Sequence, residues 1–154
     1  MGKERVGFIG LGNMGKPMAG SLLSKGFAVV GHDAMAERTA ILAQRGATPA
    51  ASITEVVAAS DVVVTMLPNT PDVEVVFGEM MRGGRAGQMH MDMSTIDPLA
   101  SRRFAAALAG KGISWVDAGV GRSPAHAERG ESLFMVGGTE PDLARARPLL
   151  EAMG

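Results

Sequence analysis

Short apolar runs alternate with longer amphipathic stretches along the chain. The short runs lie near Arg5 to Gly10, Ala28 to Asp33, Asp61 to Leu67, Gln88 to Met93, Ile113 to Asp117 and Leu133 to Val136, and each predicts a strand. Strands interleaved with helical stretches predict an α/β domain with a mainly parallel sheet. Val62, Val63 and Val64 are apolar without alternation, as in a strand covered on both faces. That strand is expected at the centre.

The helix starts carry their own chemistry. Ser52 with Glu55 predicts a capping box, while Thr70 before Pro71 and Asp97 before Pro98 each put a capping oxygen ahead of a proline at the first helical position. Thr139 with Asp142 predicts a similar cap for the last helix. A further helix runs through Met18, Leu22 and Leu23. No repeat, low-complexity tract or linker interrupts the pattern, so residues 1–154 read as one domain.

Composition narrows the partners. A formal charge of −1 and the lack of any basic run argue against nucleic acid. The chain has no cysteine, so it has no disulfide, thiolate nucleophile or thiolate metal site. His32, His90 and His126 lack ligand spacing, and no metal is expected. The charged opening through Arg5 leads into a short apolar run that is neither a signal peptide nor a membrane span, so a cytoplasmic protein without membrane association is expected.

Gly10-Leu11-Gly12-Asn13-Met14-Gly15 is a GxGxxG loop between the first strand and the first helix. Gly10 makes the tight turn, Gly12 lets the backbone approach a pyrophosphate, and Gly15 lets helix and strand pack closely. The helix N-terminus offers unpaired N–H groups and about half a positive charge to that pyrophosphate. A glycine-rich turn alone can be only a turn. Here Asp33 ends the second strand at the spacing of about 20 residues where a carboxylate binds the adenosine ribose hydroxyls. It would repel a 2′-phosphate, and no Arg or Lys immediately follows it. The combination predicts a Rossmann-type, doubly wound sheet in a three-layer αβα domain that binds NAD in preference to NADP.

Three blocks carry a family resemblance. Val6 to Ala19 resembles the opening of the β-hydroxyacid dehydrogenase family, the group of 3-hydroxyisobutyrate dehydrogenase. Thr65-Met66-Leu67-Pro68 is similar to the family's loop after the fourth strand, and Asp92-Met93-Ser94-Thr95-Ile96-Asp97-Pro98 to its Asp-x-Ser-Thr-x-x-Pro motif. Met135-Val136-Gly137-Gly138 matches again. The resemblance implies that Asn13 and Met14 contact the cofactor diphosphate, Asp33 its ribose, Leu67 and Pro68 the adenosine or nicotinamide ribose side, and Thr95 the nicotinamide end. His32 stands where the family has a large apolar residue.

The substrate segment departs from the common family form. Asp117-Ala118-Gly119-Val120-Gly121-Arg122-Ser123 stands in place of Asp-x-Pro-Val-Ser-Gly-Gly, and Val-Gly-Arg followed by Ser or Thr is similar to the 3-sulfolactaldehyde reductase branch. The resemblance implies Ser94, Arg122 and Ser123 at the substrate, with the Arg122 guanidinium gripping an anion. It also implies an NAD-dependent, homo-oligomeric enzyme acting on a small anionic semialdehyde or hydroxyacid. The family's catalytic lysine lies in a Gly-x-x-Gly-x-x-x-Lys-x-x-x-Asn segment of a helical second domain. Lys3, Lys16, Lys25 and Lys111 do not match that segment, so no catalytic residue is expected here. The 154-residue chain alone is expected to be inactive, either as the cofactor domain of a reductase or as a free-standing NAD(H)-binding module.

Overall fold

The computed structural model describes residues 3–121 and 123–154. Strands β1 (Val6–Ile9), β2 (Val29–His32), β3 (Thr48–Pro49), β4 (Val62–Thr65), β5 (Met89–Asp92), β6 (Ser114–Gly121) and β7 (Leu133–Gly137) form one sheet in the order β3-β2-β1-β4-β5-β6-β7. All neighbours are parallel except β6 and β7. The helices are α1 (Gly15–Ser24), α2 (Ala36–Gln44), α3 (Ile53–Ala59), α4 (Thr70–Gly83), α5 (Pro98–Ala109), α6 (Pro124–Glu128) and α7 (Glu140–Met153). This is the doubly wound Rossmann arrangement that the alternation predicts. Strand order reverses between β1 and β4, and in open α/β sheets ligands bind outside the carboxyl ends of the strands at such a point.

The two helical layers follow from the strand period of two. Val62 and Val64 pack into a core with Phe8, Met18, Leu22, Met91 and Leu149, beneath α1 and α7. Val63 points the other way, into a core with Val56, Val76, Phe104 and Trp115 beneath α3, α4 and α5. All three valines are fully buried on the middle strand, so their unbroken apolar run reports two covered faces. Gly7 makes the second layer possible. A Cβ there would stand 2.4 Å from Val56 Cγ1 and 2.3 Å from Ser60 Oγ, so only glycine lets α3 lie this close to β1.

Several boundaries differ from expectation. α4 is capped by Asn69 rather than Thr70: the Asn69 side chain accepts from the Asp72 N–H, and Thr70 is the first helical residue. Thr70 Oγ1 instead accepts from the Asp97 N–H, tying α4 to the start of α5. Ser52 caps α3 as expected, but Glu55 reaches back to the Ala51 N–H, one residue before the cap. Asp97 and Thr139 cap α5 and α7. β6 continues four residues past Asp117 because Ala118 to Gly121 pair with β7. β3, with two residues, and α6, with five, are too short for their period to appear in a sequence. No helix among the described residues is long and apolar enough to cross a membrane, nor do these residues hold a cluster of three His, Cys, Asp or Glu side chains suited to a metal.

Candidate cofactor site

The loop from Gly10 to Gly15 leaves β1 and enters α1 at the carboxyl edge of the sheet. Gly10 has φ +100°, which favours glycine, and a Cβ on it would lie 2.2 Å from the Met66 carbonyl oxygen. A Cβ on Gly15 would lie 1.8 Å from the Gly10 carbonyl oxygen. These two glycines are therefore demanded by packing. Gly12 is different: the nearest atom to a Cβ there is Arg38 Nη1, at 3.8 Å. The space over its backbone is open, as close approach by a pyrophosphate requires.

The helix behind the loop points the same way. Ser52, Asn69, Asp97 and Thr139 cap α3, α4, α5 and α7 with side-chain oxygens, whereas Met14 at the N-cap of α1 supplies none, and the first turn of α1 has no acidic residue. The first N–H groups of an α-helix have no partner within it. An open glycine beside an uncapped helix start fits a dinucleotide diphosphate. Asn13 is exposed on this loop, and Met14 is half-buried against the core under α1.

Asp33 anchors the neighbouring subsite and braces the loop as well. Its Oδ2 accepts from the Leu11 N–H at 2.7 Å, its Oδ1 accepts from the Met35 N–H at 2.8 Å, and its own N–H donates to Thr39 Oγ1. The carboxylate thus joins β2, the glycine loop and the start of α2. Beside it opens a cleft of about 300 Å³ lined by Gly10, Asp33, Leu67 and Pro68, four of the residues singled out in sequence. His32 also lines it, with Nδ1 donating to the Ala50 carbonyl at 2.9 Å. The polar residue is thereby tied to the segment after β3, where the family pattern has an apolar one.

Other cleft residues have no signature in sequence. Met35, Ile53 and Val75 come from α2, α3 and α4 or their edges, and Met35 and Val75 remain 51% and 56% exposed. Large apolar side chains left in water along one cleft suit a flat ring slid between them. Arg38 completes the rim, with Nη1 3.7 Å from Asp33 Oδ2.

The far end of the site rests on a buried polar cluster. Thr65 Oγ1 donates to Asp92 Oδ1 at 2.8 Å and lies 3.0 Å from His90 Nε2, which therefore carries the hydrogen. His90 Nδ1 and Asp92 Oδ2 are buried without partners. Burial pushes the Asp92 carboxyl up to about 6, with Asp117 on the adjoining strand adding to the rise and bonds from Thr65 and Ser94 opposing it. Burial alone brings His90 down to about 3. Asp117 is likewise raised by burial and accepts from Ser101.

The cluster holds the Asp-x-Ser-Thr turn. The Ser94 N–H donates to Asp92 Oδ1, and Ser94 Oγ accepts from the Leu67 N–H at 2.8 Å. Ser94 is 3% exposed, and its hydroxyl braces the cleft-lining loop. Thr95, next to it, is exposed. Ser123 is exposed before α6, with Oγ 2.8 Å from His126 Nδ1. Arg122 lies outside the described residues.

Two predictions arise from this geometry. Gly12→Ala has room for its methyl and should fold with little change in Tm while losing cofactor affinity, whereas Gly15→Ala should lower stability by more than ~1 kcal/mol because its Cβ collides with the Gly10 carbonyl. Thermal melts beside cofactor titrations of both variants check the contrast. For Asp92, the folded chain holds the carboxyl proton above the ordinary value of 3.8, so its contribution to stability declines as pH rises toward about 6. His90 slopes the other way, its contribution declining as pH falls below 6.5. Asp92→Asn removes one slope: its stability relative to wild type should rise between pH 3.8 and about 6 and then level off. The gain is on the order of 2–3 kcal/mol. Urea unfolding across that range measures it, and a flat difference would show ordinary ionisation of Asp92.

Comparison with known proteins agrees with this architecture. Residues 5–154 match the family model of the NAD binding domain of 6-phosphogluconate dehydrogenase. The chain is 41% identical over 152 residues to 3-sulfolactaldehyde reductase of Escherichia coli (strain K12), covering 97% of this chain and 51% of that protein. It is 39% identical to 2-(hydroxymethyl)glutarate dehydrogenase of Eubacterium barkeri, over 97% of this chain and 51% of the relative. The solved 3-hydroxyisobutyrate dehydrogenase of Mycobacterium tuberculosis superposes with a TM-score of 0.94 at 35% identity, covering 99% of this chain and 53% of its own. The chain spans about half the length of the relatives it matches. It belongs to the family of NAD-binding domains represented by that of 6-phosphogluconate dehydrogenase, and within it to the NAD-binding domains of the β-hydroxyacid dehydrogenases.

Proposed function

We propose that this chain holds NAD(H) for a reductase that transfers hydride between NADH and a small anionic semialdehyde, with 3-sulfolactaldehyde as the first candidate. The observation that carries the cofactor half is Asp33, which lines the cleft beside the open Gly12 backbone and the uncapped start of α1. A carboxylate there accepts from two ribose hydroxyls and disfavours a 2′-phosphate. When bound, the nicotinamide supplies the hydride. The chain's own work is binding and orientation: the loop N–H groups take the diphosphate, Asp33 the ribose, the apolar cleft walls the adenine, and Thr95 the nicotinamide end.

Proton transfer to the developing alkoxide belongs to the lysine of the family's helical second domain, and no residue of this chain is assigned that role. The substrate half of the proposal rests on Val120-Gly121-Arg122-Ser123 and on the similarity to 3-sulfolactaldehyde reductase. A guanidinium presents a planar fork of donors that suits a sulfonate, and it also suits a carboxylate or phosphate. The fold likeness to a 3-hydroxyisobutyrate dehydrogenase keeps carboxylate semialdehydes such as tartronate and methylmalonate semialdehyde as the competing class.

Two experiments test the halves separately. Calorimetric titration of the 154-residue chain should show tighter binding of NADH than of NADPH. Asp33→Ala should weaken NADH binding and narrow the difference; equal or tighter NADPH binding by wild type refutes the cofactor reading. For the substrate, kcat/KM of the whole enzyme is compared for 3-sulfolactaldehyde, tartronate semialdehyde and methylmalonate semialdehyde, with and without Arg122→Ala. Loss of ~10²-fold or more with the sulfonate is expected, as for an anion contact that leaves its partner unpaired. A wild type that prefers a carboxylate, with a variant that keeps its sulfolactaldehyde activity, refutes the sulfonate role.

A further inference from the structure

Met35 sits between β2 and α2 with its backbone held and its side chain in water. Its N–H donates to Asp33 Oδ1 at 2.8 Å and its carbonyl accepts from the Arg38 N–H at 3.0 Å, which fixes it as the N-cap of α2. A methionine supplies no capping oxygen there, and the helix gains nothing from its side chain. The side chain instead lines the cleft beside Asp33, together with Leu67, Pro68 and Val75, and the residue is 51% exposed. The chain has no cysteine, so its thioethers are its most oxidisable groups. Among the described residues the other exposed methionine is Met135 on β7, which does not line the cleft, and the remaining ones are buried or half-buried. One accessible thioether therefore stands in the wall of the candidate cofactor site.

We propose that Met35 is a redox-modification site: a small peroxide converts its thioether to the sulfoxide, which weakens NAD(H) binding, and bound NAD(H) in turn shields the sulfur. This rests on the NAD(H) reading above. A sulfur lone pair attacks one oxygen of hydrogen peroxide, the S–O bond forms as the O–O bond breaks, and the transferred oxygen gives its proton to the leaving hydroxide, which departs as water. Sulfur is oxidised by two electrons and the peroxide is reduced by them. The product puts a polar, chiral group where a flexible apolar wall stood. In the open cleft water solvates that group at little cost. A ring laid against it removes the water, and the face of the ring offers no donor in exchange. The sulfur that a peroxide can reach is also the one a ligand must cover, so oxidation and binding oppose each other.

The test treats wild type, Met35→Leu and Met135→Leu with hydrogen peroxide, removes the excess with catalase, and titrates NADH into each protein before and after treatment. Peptide mass spectrometry follows each methionine, and thermal melts confirm that the oxidised chains remain folded. In wild type Met35 should oxidise ahead of the buried methionines, and NADH should then bind at least ~5-fold more weakly, as loss of a half-buried apolar contact implies. Met135→Leu should respond like wild type, whereas Met35→Leu should bind NADH equally before and after peroxide. Methionine sulfoxide reductase should restore the wild-type affinity. Saturating NAD+ should slow oxidation of Met35 at least ~5-fold while leaving Met135 within about 2-fold, because binding and modification compete for one face. Undiminished NADH affinity after Met35 is oxidised overturns the proposal, as does an equal loss in Met35→Leu, which would place the effect on another methionine. Equal rates of Met35 oxidation with and without NAD+ overturn it too. Failure of untreated wild type to bind NADH, by contrast, defeats the underlying NAD(H) reading and the proposal with it.

Discussion

The contact between Gly15 and the Gly10 carbonyl governs the rest of the site. With no side chain between them, the first turn of α1 sits directly on the end of β1, and its N-terminal N–H groups face the open backbone of Gly12. A side chain at Gly15 would put its Cβ 1.8 Å from that oxygen, far inside van der Waals contact, and would force the helix away. The dipole end would then move off the place proposed for the diphosphate. The buried face of α1 depends on the same approach, because Met18 and Leu22 reach the core only when the helix is this close. One steric constraint thus serves packing and binding together.

Two polar anchors hold the loops around that helix. On the adenosine side Asp33 joins the glycine loop to α2 through its two oxygens, so the residue expected to grip a ribose also shapes the turn that grips the diphosphate. On the other side Asp92 and Thr65 hold Ser94, and Ser94 holds Leu67 at the cleft wall. The second anchor sets a protonatable carboxyl with an unpartnered oxygen in a dry setting. That is costly, and the opposite slopes of Asp92 and His90 limit the net dependence of stability on pH.

What was legible in the sequence was what is written locally. The glycine spacing, the valine run and the acid at the end of β2 each act within one crossover, so their period or spacing survives in the linear order. The cleft walls were not legible, because Met35, Ile53, Val75 and Arg38 come from separate helices that converge only when α2, α3 and α4 pack. Ser94 illustrates a different limit: its motif is plain in the sequence, but the bond that its hydroxyl accepts comes from Leu67, which lies 27 residues away. Thr70 failed for a nearer reason. Asn69, one position earlier, is also a capping residue, and the proline tolerates either frame, since Pro sits at the second helical position here.

The end of the site proposed to face substrate is organised by a different device from the cofactor end. Past Asp117, β6 leaves the parallel part of the sheet and pairs with β7 in antiparallel register through Gly121 and Leu133. This extends the strand beyond the edge where its parallel neighbour β5 stops at Asp92. The β6–β7 pair therefore carries Val120 and Gly121 past the level of the Asp-x-Ser-Thr turn, and Arg122 and Ser123 follow directly in the chain. Leu133, Met135 and Val136 on β7 stay 52%, 68% and 37% exposed, so this strand lends its backbone to β6 while contributing little to the core. Cofactor geometry depends on glycines packed against backbone, which tolerate almost no change. The segment proposed to face substrate depends on a strand pair at the border of the sheet, where Leu133 and Met135 face solvent, and it is there that this chain departs from the commoner family form.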